Sequence, residues 1–212
     1  MRIIGLYLHD MHHAIIKTLQ PGWYPFGHYQ KPNSKGWINI KDDSELKYQI
    51  YTQYKLPQIS VSAIVGMNGS GKSTILDIIY RILNNLAYKL ISERNTPIRP
   101  DITYAYGVVA DFYCEVDGRL IRVLCNNETL TFEIEKNGSL NPIPLINSSF
   151  KNILGSFFYT IGVNYSIYAF NKWDYASDDN EFIDGEWLQG VFHKNDGYLA
   201  PLTLVPFREE GC

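Results

Sequence analysis

Residues 66–74 read Gly-Met-Asn-Gly-Ser-Gly-Lys-Ser-Thr, with four residues between Gly66 and Gly71 and a Lys-Ser-Thr run directly after. That spacing lets a backbone curl until its N–H groups converge on an anion. Gly66, Gly69 and Gly71 supply the positive φ angles and the close approach that a Cβ would obstruct. Lys72 is the candidate catalytic residue, an ammonium expected to reach the β- and γ-phosphates of a nucleoside triphosphate. The Ser73 hydroxyl is the expected protein ligand of Mg²⁺, and Thr74 is expected to donate to the α-phosphate. Asn68 and Ser70 lie within the same ring and count among the binding residues. The chemistry implied is the binding of ATP with Mg²⁺.

Such a loop needs a strand before it and a helix after it. Residues 59–65 are β-branched and apolar enough for a buried parallel strand. Ile75, Leu76, Ile78, Ile79, Ile82, Leu83 and Leu86 recur at helical spacing, which predicts a helix from Lys72 to about Ser92. Its positive N-terminal end would face the phosphates. The competing reading is a glycine-rich turn between two core elements.

Residues 1–8 alternate and predict a first strand, and 48–54 a second. Between them, residues 20–37 mix turn chemistry with Trp23, Tyr24, Phe26, Tyr29 and Trp37. These rings either stack on adenine or pack the segment onto the sheet. Past the helix, Pro97 and Pro100 act as a stop. The period then changes to two, predicting strands over 104–116, 119–125 and 129–135 with turns at Asp117-Gly118, Asn126-Asn127-Glu128 and Asn137-Gly138. Residues 157–163 form a further apolar run that leads into a polar segment. Asn164, Ser166 and Asn171 there are candidates to sense the γ-phosphate or its Mg²⁺, or else belong to a plain polar turn. Residues 199–205 predict the last strand.

The composition is that of an ordinary globular chain: 212 residues, 45% apolar and 19% charged. Sixteen Tyr and ten Phe point to a sizeable β component or a partner-facing surface. A formal net charge of −3 gives no overall field toward nucleic acid, so any groove would have to be assembled by dimerisation or by additional sequence. The three cysteines, Cys114, Cys125 and Cys212, are odd in number and lack metal spacing, which predicts reduced thiols and a cytoplasmic setting. The N-terminal apolar run is too short for a signal peptide or a membrane span.

The string at 63–77, Ala-Ile-Val-Gly-Met-Asn-Gly-Ser-Gly-Lys-Ser-Thr-Ile-Leu-Asp, resembles the N-terminal lobe of ABC-like ATPases of the SMC and RecF type. The stretch 187–208, with His193-Lys-Asn-Asp-Gly-Tyr and Leu204-Val-Pro-Phe-Arg, is similar to bacterial AAA-family ATPases of anti-phage and retron-linked systems of the Septu type. The resemblance implies an α/β fold: a P-loop NTPase lobe with a mixed sheet and an antiparallel β-meander inserted at 103–140. Residues 1–212 would be one ATP-binding lobe.

The family's Walker B Asp-Glu and Leu-Ser-Gly-Gly signature have no match here. Asp111 falls inside the meander, and Glu209 and Glu210 follow Pro206. The expectation is therefore that a second lobe is missing. Two copies would hold ATP between them and control an effector, or the chain would be a non-hydrolysing sensor gating a partner nuclease. A small-molecule kinase is disfavoured, because Arg94, Arg99, Arg119 and Arg122 read as solvated loop or strand-face residues rather than a lid cluster.

Overall fold

The structure is a computed structural model; it describes residues 1–40, 62–93, 102–145, 161–163, 187–188 and 202–204. The predicted strand at 48–54, the proline stop, and Asn164, Ser166 and Asn171 lie outside the described residues, as do Glu209, Glu210 and Cys212.

Ten elements are described. They run β1 (Arg2–Leu8), α1 (His13–Ile16), β2 (Gly22–Pro25), α2 (Lys72–Glu93), β3 (Val109–Val116), β4 (Arg119–Asn126), β5 (Thr129–Lys136), β6 (Ser139–Pro142), β7 (Ile161–Val163) and β8 (Leu202–Leu204). The first six strands form one sheet in the order β2-β1-β3-β4-β5-β6, antiparallel throughout. β7 and β8 pair in parallel as a separate two-stranded sheet. Helix and sheet are both present, as expected of an α/β chain, and the described six-stranded sheet is antiparallel rather than mixed. The meander of β3, β4, β5 and β6 continues directly from β1 and β2 and is the body of the sheet.

The meander forms because its turns demand it. Asp117 and Gly118 take φ of 52° and 73°, and Asn137 and Gly138 take 56° and 75°. Paired left-handed residues match the right-handed twist of the flanking strands. β3 begins at Val109 rather than at the expected residue 104. Asn85 claims both backbone groups of Ala105, and Gly107 turns at φ 81° with its N–H donated to the Asn127 side chain. A backbone committed to side chains cannot also join a ladder.

Alternation divides the sheet into two faces. On the inner face, Leu6, Leu8, Phe112, Cys114, Val123 and Phe132 meet the apolar stripe of α2 (Ile75, Ile78, Ile79, Ile82, Leu83, Leu86) in one core. Each such buried side chain contributes roughly 1.5–3 kcal/mol. Leu76, expected in that stripe, is instead 41% exposed. Cys114 and Cys125 are buried free thiols, and burial pushes both well above the ordinary thiol range.

The outer face is covered by Tyr29, Ile38 and Ile40, which pack with Ile4, Tyr113 and Leu120. Trp23 lies across Gly5, where a Cβ would fall 2.3 Å from the ring, and meets Tyr113 edge-on at 5.5 Å. Its indole N–H donates to the Tyr29 carbonyl. Of the two readings of the 20–37 rings, Trp23, Tyr29 and Trp37 therefore serve packing, and part of that segment is strand β2.

Among the described residues no helix is long and apolar enough to cross a membrane.

Candidate functional site

The glycine loop closes on itself by local bonds. The Ser70 N–H donates to the Met67 carbonyl at 3.2 Å, and Gly69 and Gly71 take φ of 79° and 89°. At Gly66 a Cβ would stand 2.5 Å from Ser70 Oγ, the end of an exposed side chain that would have to turn aside. The loop then runs into α2 without a break. The first helical bond, Ile75 N–H to the Gly71 carbonyl at 3.1 Å, makes Gly71 the capping residue. The amides of Lys72, Ser73 and Thr74 accordingly belong to the first turn, where helical geometry provides no acceptor.

Lys72 folds back over this ring. Its Nζ donates to the carbonyls of Gly66 at 2.8 Å and Met67 at 2.7 Å. The ammonium is thus held inside the loop it is expected to serve. Asn68, Gly69, Ser70 and Ser73 are exposed, whereas Thr74 is 6% exposed and lies in the core side of the first turn. The loop brings together every candidate from Gly66 to Thr74. Asn164 is not among the described residues.

The strand expected before the loop is only partly described, and that part is corrected. Residues 62–65 are not in a strand, and Val65 is 87% exposed. Only Ile64 packs against the core, while the Ser62 hydroxyl donates to the Phe26 carbonyl. A strand exists through its pairing, and no described strand lies beside 62–65.

Support comes instead from the connection between α1 and β2. The Thr18 hydroxyl donates to the Gly69 carbonyl at 2.8 Å, across 51 residues of sequence. Leu19, in the inner core, lies so close to Gly71 that a Cβ there would be 2.4 Å from its Cδ2. Sequence reasoning missed both residues, because nothing local marks a threonine as a partner of a distant loop.

It also missed a buried polar stripe on α2. Asp77, Arg81, Asn84 and Asn85 are 3%, 0%, 0% and 0% exposed, although their spacing suggests a solvated face. Arg81 Nε donates to Asp77 Oδ1 at 3.3 Å, and its guanidinium lies 4.7 Å from the centre of the Trp187 ring. Asn84 donates to the Thr103 carbonyl at 2.7 Å. Asn85 donates to the Ala105 carbonyl at 2.8 Å and accepts the Ala105 N–H at 2.7 Å.

Asp111 lies on the outer face of the sheet, opposite α2. His9 Nε2 stands 3.2 Å from it and Arg122 3.9 Å, and Arg122 also pairs with Glu133 at 2.6 Å. Arg122 is thus a strand-face residue of β4, as expected, but one that is largely buried and ion-paired rather than solvated. Its neighbour Tyr113 is pushed up to about 12 by burial, with Asp111 adding to the effect and Arg122 opposing it. This array ties strands together and has no contact with the loop.

Among the described residues no group of three or more His, Cys, Asp or Glu side chains is placed to hold a metal ion. A hydroxyl and phosphate oxygens, the donors expected around Mg²⁺ here, are of a different kind. Comparisons with protein-family models, with curated proteins and with solved structures return no match.

Proposed function

We propose that this chain is the ATP- and Mg²⁺-binding N-terminal lobe of an ABC-like ATPase, in which ATP bound between two copies gates a dimer that controls an effector, in anti-phage defence. The observation that carries the reading is the Lys72 ammonium seated on the Gly66 and Met67 carbonyls, inside a glycine loop that caps α2. A cation already held there exchanges two neutral acceptors for anionic phosphate oxygens, a stronger class of bond. The first-turn amides of α2 and its positive end favour the same anion.

The donors fit Mg²⁺ as well. Ser73 is exposed beside Lys72 and offers a hard oxygen, and the ion, when bound, neutralises phosphate charge. Gly69 and Gly71 keep the loop free of side chains at its turns. Lys72 positions the phosphates and stabilises charge that develops on them.

The test is binding of a fluorescent ATP analogue with Mg²⁺ to the wild-type chain and to Lys72→Ala, with mass followed by light scattering. Charge-assisted hydrogen bonds contribute about 1.5–3 kcal/mol each, so the variant is expected to bind roughly 10- to 100-fold more weakly. Wild type should dimerise on adding ATP. A Lys72→Ala protein that binds and dimerises like wild type refutes the reading. Phosphate release from the complete assembly then separates turnover from a switch that only senses nucleotide.

A further inference from the structure

The stretch after β1 turns sharply. His12 caps α1 through its Nδ1, which accepts the Ala14 N–H, and after one turn the Lys17 N–H donates to the His13 carbonyl at 2.7 Å. Lys17 then adopts φ 52° and ψ −114°, a conformation that glycine ordinarily occupies. The Leu19 N–H returns to the Ile16 carbonyl at 3.0 Å. The corner so formed sets Thr18 and Leu19 side by side against the turn of the glycine loop.

We propose that this corner is the positioning clasp of the phosphate loop, with the Thr18 hydroxyl as its bond and Leu19 as its wedge; the functional meaning rests on the loop being the nucleotide site proposed above. Three observations carry it. Thr18 Oγ1 donates to the Gly69 carbonyl at 2.8 Å. The wedge is anchored, since Leu19 is 6% exposed and belongs to the inner core. Thr18 Oγ1 and Leu19 Cδ2 would stand 3.3 Å and 2.4 Å from a Cβ on Gly71, so both side chains meet the same point of the loop.

The clasp has a specific task. Gly69, with φ 79° and nothing within 4 Å of a notional Cβ, has open space around it and the freedom to rotate its peptide. A trans peptide points its C=O and the following N–H in opposite directions. With the Ser70 N–H on the Met67 carbonyl at one end, holding the Gly69 carbonyl on Thr18 at the other pins this peptide plane within the ring. The strand that ordinarily braces such a loop does not do so over 62–65, where no described strand pairs with the chain. Thr18 is thus a positioning residue, acting on phosphate through the loop.

Thr18→Val and Thr18→Ser test this. Thr18 is exposed, so neither change opens the core. Two quantities are read: amide hydrogen exchange of residues 66–71 in the nucleotide-free protein, and affinity for a fluorescent ATP analogue with Mg²⁺. Loss of one neutral hydrogen bond corresponds to about three- to tenfold in an equilibrium. Thr18→Val is expected to speed loop exchange and weaken binding by that factor at an unchanged unfolding midpoint, and Thr18→Ser to restore both. Unchanged exchange in Thr18→Val overturns the clasp, and faster exchange with unaltered affinity overturns its positioning role. If wild type binds no nucleotide while Thr18→Val loosens the loop, the proposed function fails and the clasp stands.

Discussion

Gly71→Ala and Gly69→Ala impose similar backbone demands in different surroundings, and comparing them measures how firmly the loop is wedged. Their φ angles are 89° and 79°, so each alanine incurs the left-handed penalty of about 1–2 kcal/mol. At Gly69 a Cβ meets nothing within 4 Å, and the cost should stop there. At Gly71 it meets Leu19 Cδ2 at 2.4 Å. Leu19 is packed in the inner core and has little room to swing, so an overpacking term of about 1–3 kcal/mol adds to the first. Gly71→Ala should therefore destabilise by about 2–5 kcal/mol, measured by urea unfolding at neutral pH with the slope m checked for constancy. In a Leu19→Ala background the excess should vanish, a coupling of about 1–3 kcal/mol in the double-mutant cycle. Equal costs for Gly69→Ala and Gly71→Ala, or an excess that survives in Leu19→Ala, would refute the wedge.

The remaining expectations concern the helix and the sheet that hold the loop. Asn85→Leu strands a buried N–H and a buried C=O of Ala105, each worth about 1–3 kcal/mol, and should cost about 2–6 kcal/mol in equilibrium unfolding; under 1 kcal/mol would mean the segment finds other partners. Tyr113, pushed up to about 12 chiefly by burial, favours the folded state in its neutral form. Its contribution is intact below about pH 10 and lost as pH rises from there through about 12, on the order of 2–3 kcal/mol at most. Tyr113→Phe should accordingly flatten the alkaline limb of stability measured from pH 9 to 12, and an unchanged limb would count against this assignment.

What was legible in the sequence was local. The Gly-rich run followed by Lys72 placed the loop and the start of α2, and the apolar repeat carried that helix to within a residue of its observed end. Asp117-Gly118 and Asn137-Gly138 announced their hairpins, because a left-handed pair is a property of two adjacent residues. What escaped depended on distant partners. Residues 59–65 have the composition of a strand, yet pairing is supplied from elsewhere, and the described part, 62–65, has none. Thr18 and Leu19 precede the loop by some fifty positions and carry no motif. Asp77, Arg81, Asn84 and Asn85 look like a solvated stripe because burial of polar groups is affordable only with partners that periodicity does not reveal.

That buried stripe bears on the site through helix register. Most of the contact surface of α2 is aliphatic, and aliphatic contacts tolerate small rotations and slides with modest loss. The Asn85 amide does not. It matches one N–H and one C=O of a single residue, Ala105, and one residue of slip turns the helix by about 100° and carries the amide away from both. Asn84 adds a second constraint at the Thr103 carbonyl, and Arg81 a third over Trp187. Since α2 is continuous from Lys72, a register fixed at Asn85, about 20 Å down the axis at 1.5 Å per residue, also fixes the directions in which the first-turn amides and Lys72 leave the helix. The polar stripe along the middle of α2 and the Thr18–Leu19 corner at its N-terminal end thus constrain the same object, the first setting the rotation of the helix and the second the conformation of the loop that caps it.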